Sequence, residues 1–425
     1  MVNLLDTINH LEAKAKECCT LIVLDNGLKV IIQNVEGYPS FFQGDLKVPF
    51  GSKFEAPEHA GIAHFNEHMC YSGTEKYPTS EEIDRACRKI GYRPNAGTST
   101  ELISIPFRSL NGDLRLTLDI VTQLGFAPIF PENKLEKEKK VVINEIGRYY
   151  SNPMTEIHDW RLGCSLVGFH NVHNTLGTPD SVQAIDRDIL LYYRDRFMNV
   201  SHSYLTVIGD FDPDSLHHVF DVGSKFPINT YDIPVIINKP QEQERKIIEK
   251  EFMGIRRAYI SYSFNIPGFN HNERAALAIA DEILNGLSNS RLFSSLRERE
   301  GLTYGVESIP LDGELGGKYF INFDVSPHHV ERAIKVVDEE LFRLASDVIT
   351  NDEMEEARKR LEIISLSNLY SLEKPAEIMY NINKNNFNEF NNVRRLIGVE
   401  KEDIRNAART YLTPDRAMIN IGLPL

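Results

Sequence analysis

The chain contains no run of 18 or more apolar residues, so nothing in it reads as a membrane-spanning helix. Cysteine is scarce and odd in number. There are five, none in a C-x-x-C pair, and Cys18 and Cys19 are adjacent. That set makes a poor disulfide framework and points to a reducing, cytoplasmic setting. Positive charge is in deficit, with 47 Lys and Arg against 61 Asp and Glu and a formal net charge of −14. Such a balance argues against a phosphate-backbone partner, so no nucleic acid is expected. The amino-terminal stretch MVNLLDTINHLEAKAKE lacks both the basic-then-apolar order of a secretory signal and the acid-poor, Arg-rich pattern of a transit peptide. It reads as a short helix of the mature chain.

What is present is ordinary for a soluble protein: 42% hydrophobic and 25% charged residues. At roughly 150 residues per domain, 425 residues allow two or three domains. The segment Lys225 to Lys246 carries three prolines and little helical periodicity, and reads as a linker. It leaves a domain over residues 1–224 and another over 247–425. The two halves end alike. Asp186 to Phe211 and Glu400 to Leu425 each read as acidic cap, amphipathic helix, turn and alternating strand, and Ile189/Ile404 and Arg194/Arg409 are both 215 apart. So long a period implies a duplicated domain rather than a solenoid. Strands alternate with helices in each half. TLIVLDNGLKVIIQN reads as a hairpin about Asn26-Gly27, TSEEIDRACRKIG as a capped helix, RAYISYSFNI as a strand and ERAALAIADEIL as a helix. The class expected is α/β (α+β), with two homologous domains, each a mixed β-sheet covered by helices.

The stretch HFNEHMCYSG, His64 to Gly73, carries the chemistry. On a helix His64 and His68 share a face, with Glu67 on the same side. Two imidazoles can hold zinc, and a catalytic site leaves one position for water, whose proton a nearby carboxylate can take. The order His-x-x-Glu-His is the inverted zincin arrangement. Chance produces it about 0.03 times in a chain of this composition, too rarely to dismiss. A third protein ligand is required. In ENKLEKEKKVVINEIGRYY, Glu138 and Glu145 are two turns apart on one face, beside Val141 and Val142. Glu145 is the expected third ligand and Glu138 the acid behind the ligands. Cys70 falls on the wrong side of the helix to join them.

These motifs resemble those of the pitrilysin/insulinase family of zinc metallopeptidases, most closely the small two-domain subfamily of the mitochondrial processing peptidase and its bacterial relatives. GIAHFNEHMCYSGTEKYP is similar to the family's zinc helix, and EKEKKVVINEI to its second glutamate helix. NAGTSTE, Asn95 to Glu101, resembles the active-site edge strand, which pairs with extended peptide. SRLFSSLREREGLTYGV, Ser290 to Val306, resembles the second-domain segment that brings an Arg and a Tyr to the substrate. The resemblance implies one Zn²⁺ per chain on His64, His68 and Glu145, with Glu67 as base and proton donor and Glu138 behind the ligands. It implies Asn95 and Ala96 as peptide contacts, and Arg297 and Tyr304 as groups securing the scissile region. Three departures stand out. Asn66 replaces an apolar residue, Glu300 a basic one, and Ile103 and Ile105 stand where the edge strand usually has Thr and Tyr.

A zinc endopeptidase of short or unfolded peptides follows as the expectation. Each chain would build half of a clam-shaped chamber within a homodimer, or a heterodimer with a related chain, and Arg297 and Tyr304 of one chain would complete the zinc site of the other. The alternatives are a subunit that needs an unlike partner, or a non-catalytic scaffold subunit.

Overall fold

The computed structural model describes residues 4–425 except 39, 167, 170–173, 229–230, 235, 237–240 and 288. Asn26 and Gly27 make the expected hairpin between β1 (Cys19–Val23) and β2 (Lys29–Asn34). Gly27 has φ +85°, and a Cβ there would lie 2.7 Å from that of Ser201. Only glycine takes both the left-handed backbone and the close approach. The Asn26 amide donates to Gly223 O at 2.8 Å and Phe226 O at 3.0 Å, tying the turn to the end of the first half.

The remaining strands are β3 (Phe41–Val48), β4 (Gly97–Thr98), β5 (Ile103–Leu110), β6 (Tyr204–Gly209), β7 (Lys246–Phe252), β8 (Ala258–Pro267), β9 (Val306–Leu311), β10 (Gly316–Val325) and β11 (Met418–Pro424). They form two sheets, ordered β1-β2-β6-β3-β5-β4 and β7-β11-β8-β10-β9. With β1 set aside, the second order repeats the first. In each sheet one neighbouring pair is parallel, β2 with β6 and β11 with β7. The duplication expected from the chain endings is therefore a duplication of whole sheets. Arg194 and Arg409, 215 apart, even do the same work: Arg194 donates to Pro128 O at 2.8 Å and Arg409 to Ala345 O at 3.0 Å.

Helices cover one face of each sheet and enclose two separate apolar cores, one centred on Phe42, Phe65 and Phe107 and the other on Tyr262, Phe264 and Ile279. The other face is covered reciprocally. The helix Lys374–Asn385, from the second half, packs on β2 and β6. Its Ala376 N donates to Gln33 Oε1 at 3.0 Å, and Tyr380 meets Tyr204 edge-on. The helix Pro153–Ser165, from the first half, packs on β11, where Asn420 donates to Ser165 Oγ at 2.9 Å and Trp160 meets Phe252. The amino-terminal helix Leu4–Cys18 buries Ile8 and Leu11 against Leu369, Ile378 and Phe390. Part of the expected linker, residues 229–230, 235 and 237–240, lies outside the described residues. Its described Phe226 and Ile233 pack on the first core. No helix among the described residues is long and apolar enough to cross a membrane.

One placement differs from expectation. Ile103 and Ile105 belong to β5, one strand in from the edge, and are 1% exposed. Their apolar character serves the core, and the edge strand itself is only Gly97–Thr98.

Candidate metal centre

The helix Ile62–Cys70 carries the His-x-x-Glu-His motif and begins at Gly61, whose φ is +89°. A Cβ there would meet Leu176 O at 2.6 Å. The first turn is held by Glu55, which is buried and accepts from Gly61 N and Ala63 N, both at 2.9 Å. A carboxylate facing the N–H end of a helix satisfies its free donors and its dipole. Burial nevertheless pushes the Glu55 carboxyl up to about 8, against those two donors. Asn66, out of place in the family pattern, is buried and donates to Leu190 O at 3.4 Å. Cys70 is buried in the core and takes no part in the cluster.

His64 and His68 stand with ring centroids 4.7 Å apart at 75°. Glu145, on the helix Glu132–Tyr149, brings Oε2 to 3.8 Å from His64 Nε2 and 3.4 Å from His68 Nε2. The three donor atoms lie within 4.8 Å of one another. A tetrahedral ion with ligands at about 2.0–2.1 Å spaces them about 3.3–3.4 Å apart, so a small inward shift would seat zinc. The chemistry of the donors agrees. Burial, helped by the charge of His68, lowers His64 to about 4, which keeps its imidazole neutral as a metal requires. Its Nδ1 is buried with no hydrogen-bond partner among the described residues. For His68, burial is outweighed by Glu138, Glu67 and Glu145, and its pKa is raised. Glu138 Oε2 sits 3.8 Å from His68 Nδ1, behind the ring. Between the two acids the helix is covered on one side only: Val142 is buried and Val141 is 42% exposed.

Glu67 points to the same place and accepts from Thr98 Oγ1 at 2.6 Å. Burial raises its pKa, with the Thr98 hydrogen bond and His68 acting against that and Glu145 adding to it. Thr98 belongs to β4, the edge of the first sheet, so the edge strand and Glu67 are joined directly. Asn95 and Ala96 lie just before β4 rather than in it, and Asn95 is exposed. Tyr71 fixes their loop: its hydroxyl donates to Pro94 O at 2.9 Å and accepts from Ala96 N at 3.0 Å.

Arg297 and Tyr304 lie together on the second half. Arg297 donates to Tyr304 O at 3.0 Å and stacks on its ring at 4.5 Å. Tyr304 is 83% exposed and lies two residues before β9, the edge strand equivalent to β4. No contact among the described residues joins this pair to the histidines of its own chain. Glu300 accepts from Arg332 at 3.0 Å and so has a local partner of its own.

The sequence reading missed Glu55, Tyr71 and Thr98. The last two lie inside the quoted motifs, and Glu55 is an acid just ahead of a glycine-led helix, which is a capping signal. It also missed what happened to the second copy of the site. At the offset of 215 set by the chain endings, His64, Glu67 and His68 correspond to Ile279, Glu282 and Ile283. Both isoleucines are buried, and Arg360 Nε pairs with Glu282 Oε2 at 2.6 Å. Two apolar side chains and an ion-paired acid stand where the first half's motif helix has its donors, and among the described residues the one cluster able to hold a metal is His64, His68 and Glu145.

Two family models match the chain: "Insulinase (Peptidase family M16)" over residues 40–180 and "Peptidase M16 inactive domain" over residues 184–361. The chain belongs to the pitrilysin/insulinase family. An uncharacterized zinc protease of Bacillus subtilis, YmxG, is 28% identical over 409 residues, covering 93% of this chain and 96% of its own. An uncharacterized zinc protease of Streptomyces coelicolor is 24% identical, covering 94% and 88%. Among solved structures, a protease from Helicobacter pylori superposes with a TM-score of 0.81 at 18% identity, over 96% of this chain and 99% of that one. The first half of the periplasmic protease PqqL from Escherichia coli matches with the same score, over 96% and 92%. At that identity the structures attest the fold, two related α/β domains. The sequence relatives attest a metallopeptidase lineage.

Proposed function

We propose that the chain is a zinc-dependent endopeptidase acting on short or unfolded peptides. The observation that carries this reading is the convergence of His64 Nε2, His68 Nε2 and Glu145 Oε2 within 4.8 Å, with the Glu67 carboxylate beside them. His64, His68 and Glu145 would hold one Zn²⁺, and Glu138 would orient His68 from behind. Bound zinc supplies Lewis acidity to a water molecule and to the scissile carbonyl. Glu67, its pKa raised by burial, takes the proton of the attacking water and returns it to the leaving amine. Thr98 holds that carboxylate in place. Asn95 and Ala96 would align the peptide beside the two-residue edge strand β4, an added-strand arrangement that selects extended chains over folded proteins.

Arg297 and Tyr304 would act on the partner chain's substrate. The 83% exposure of Tyr304 supports completion in trans, within a homodimer or with an unlike related chain. Residues 1–224 and 247–425 form the two domains, with 225–246 as the linker between them. The five free cysteines favour a reducing compartment, and we place the protein in the cytoplasm.

The purified protein, assayed alone with a peptide mixture beside metal analysis, tests the reading. About one zinc per chain and cleavage abolished by Glu67→Gln is the expected result. Zinc without cleavage would point to a missing unlike partner, and neither zinc nor cleavage to a scaffold subunit.

A further inference from the structure

Beside the metal cluster lies an open pocket of about 400 Å³ whose wall includes Glu67, His68, Asn95 and Glu138. Three basic residues, Arg93, Lys134 and Lys137, also line it. Lys134 lies four residues before Glu138 and eleven before Glu145, so it follows the acids along one helix face, with Lys137 beside it. Arg93 comes from the loop that Tyr71 fixes, and its guanidinium stacks on the Tyr71 ring at 5.2 Å.

The charge count favours an anion. The pocket's two carboxylates are engaged, Glu67 with Thr98 and Glu138 with His68. Two of the cations have partners that leave room for a further ligand: Lys134 Nζ is 3.5 Å from Glu81 and donates to Ser80 Oγ at 3.3 Å, and Arg93 Nε is 3.6 Å from Asp84. Lys137 makes no ion pair among the described residues. In a chain of net charge −14, a lining with three cations against two carboxylates is a local exception.

We propose that this pocket is a carboxylate-binding subsite. It would select peptides that place an acidic side chain, or their own terminal carboxylate, next to the scissile bond. The position is set by the wall: Glu67 borders both the pocket and the reaction, so the residue that enters lies within one or two of the cut. This inference rests on the peptidase reading above, and it adds the substrate class.

Zinc-loaded Glu67→Gln protein, as a non-cleaving binder, would be titrated with labelled peptides identical except for Glu, Gln or Lys at each position flanking the cut. Each peptide would be used with a free and an amidated carboxyl end. Glu peptides should bind at least about fivefold tighter than Lys peptides at one position. If instead the preference follows the free carboxyl end, the terminus is the carboxylate bound, and the subsite still stands. Adding Lys137→Glu and Arg93→Gln should erase or reverse the order, with an unchanged melting temperature showing that the variant is folded. Equal binding of all three peptides, or an order unmoved by those substitutions, overturns the subsite. Cleavage by the wild-type chain would in that case leave the peptidase reading intact. The expected order without any wild-type cleavage does the reverse.

Discussion

Thr98 donates its hydroxyl to Glu67 at 2.6 Å, and this one bond joins the strand expected to receive peptide to the group expected to move the proton. Replacing Thr98 by Val keeps the shape and removes the donor. A hydrogen bond to a charged group contributes about 1.5–3 kcal/mol, so kcat should fall roughly tenfold or more. Thr98→Ser should restore most of it. If Val and Ser variants behave alike, the hydroxyl does not position Glu67.

Glu138 lies behind His68, outside the three converging donors. Glu138→Gln should therefore keep a metal site but weaken it about 10–100-fold, read by competition with a zinc chelator. Glu145→Gln should lose far more, because it removes one of three donors. Equal losses from the two substitutions would mean that the roles of the two acids have been wrongly divided.

Completion in trans makes a sharp demand. Glu67→Gln and Tyr304→Phe should each be inactive, and a refolded or exchanged mixture should recover activity, since some dimers then hold one intact site. A mixture that never exceeds its parents, despite exchange shown by subunit labelling, would falsify the arrangement.

Glu55 links the metal helix to pH. Its carboxyl is pushed up to about 8 in the folded chain against 4.5 ordinarily, so the folded state binds more protons than the unfolded state between those values. Stability from this group is present below about pH 4.5 and is lost as pH rises through 8. The melting-temperature advantage of the wild type over Glu55→Gln should therefore shrink across that range. An advantage that stays constant across that range and falls only below about pH 4.5 would mean the two backbone N–H groups keep Glu55 ionised.

Local signals carried much of this into the sequence. The hairpin at Asn26-Gly27 and the capping box at Thr79 depend on residues close in sequence, and both form as their chemistry dictates. His64, Glu67 and His68 were legible because helical spacing alone puts them together. Glu145 was legible only in part, since nothing local says which of the two acids on its helix faces the histidines. Thr98 and Ile105 show the limit. They lie in adjacent strands, and only the register of β5 against β3 and β4 decides that Ile105 enters the core and Thr98 meets Glu67. Register is a long-range property, and so is the pairing of Arg360 with Glu282 in the second half.

The exchange of helices between the sheets bears on how such a chain arose. Pro153–Ser165 and Lys374–Asn385 each cover a sheet that belongs to the other half. A single copy of the repeat, alone in solution, would have left one side of its sheet bare and its own covering helix without a seat. Two identical copies trading that helix would have had neither defect. The ancestor before gene duplication is best pictured as an interlocked homodimer, with fusion of its two chains later freeing one copy to discard its metal.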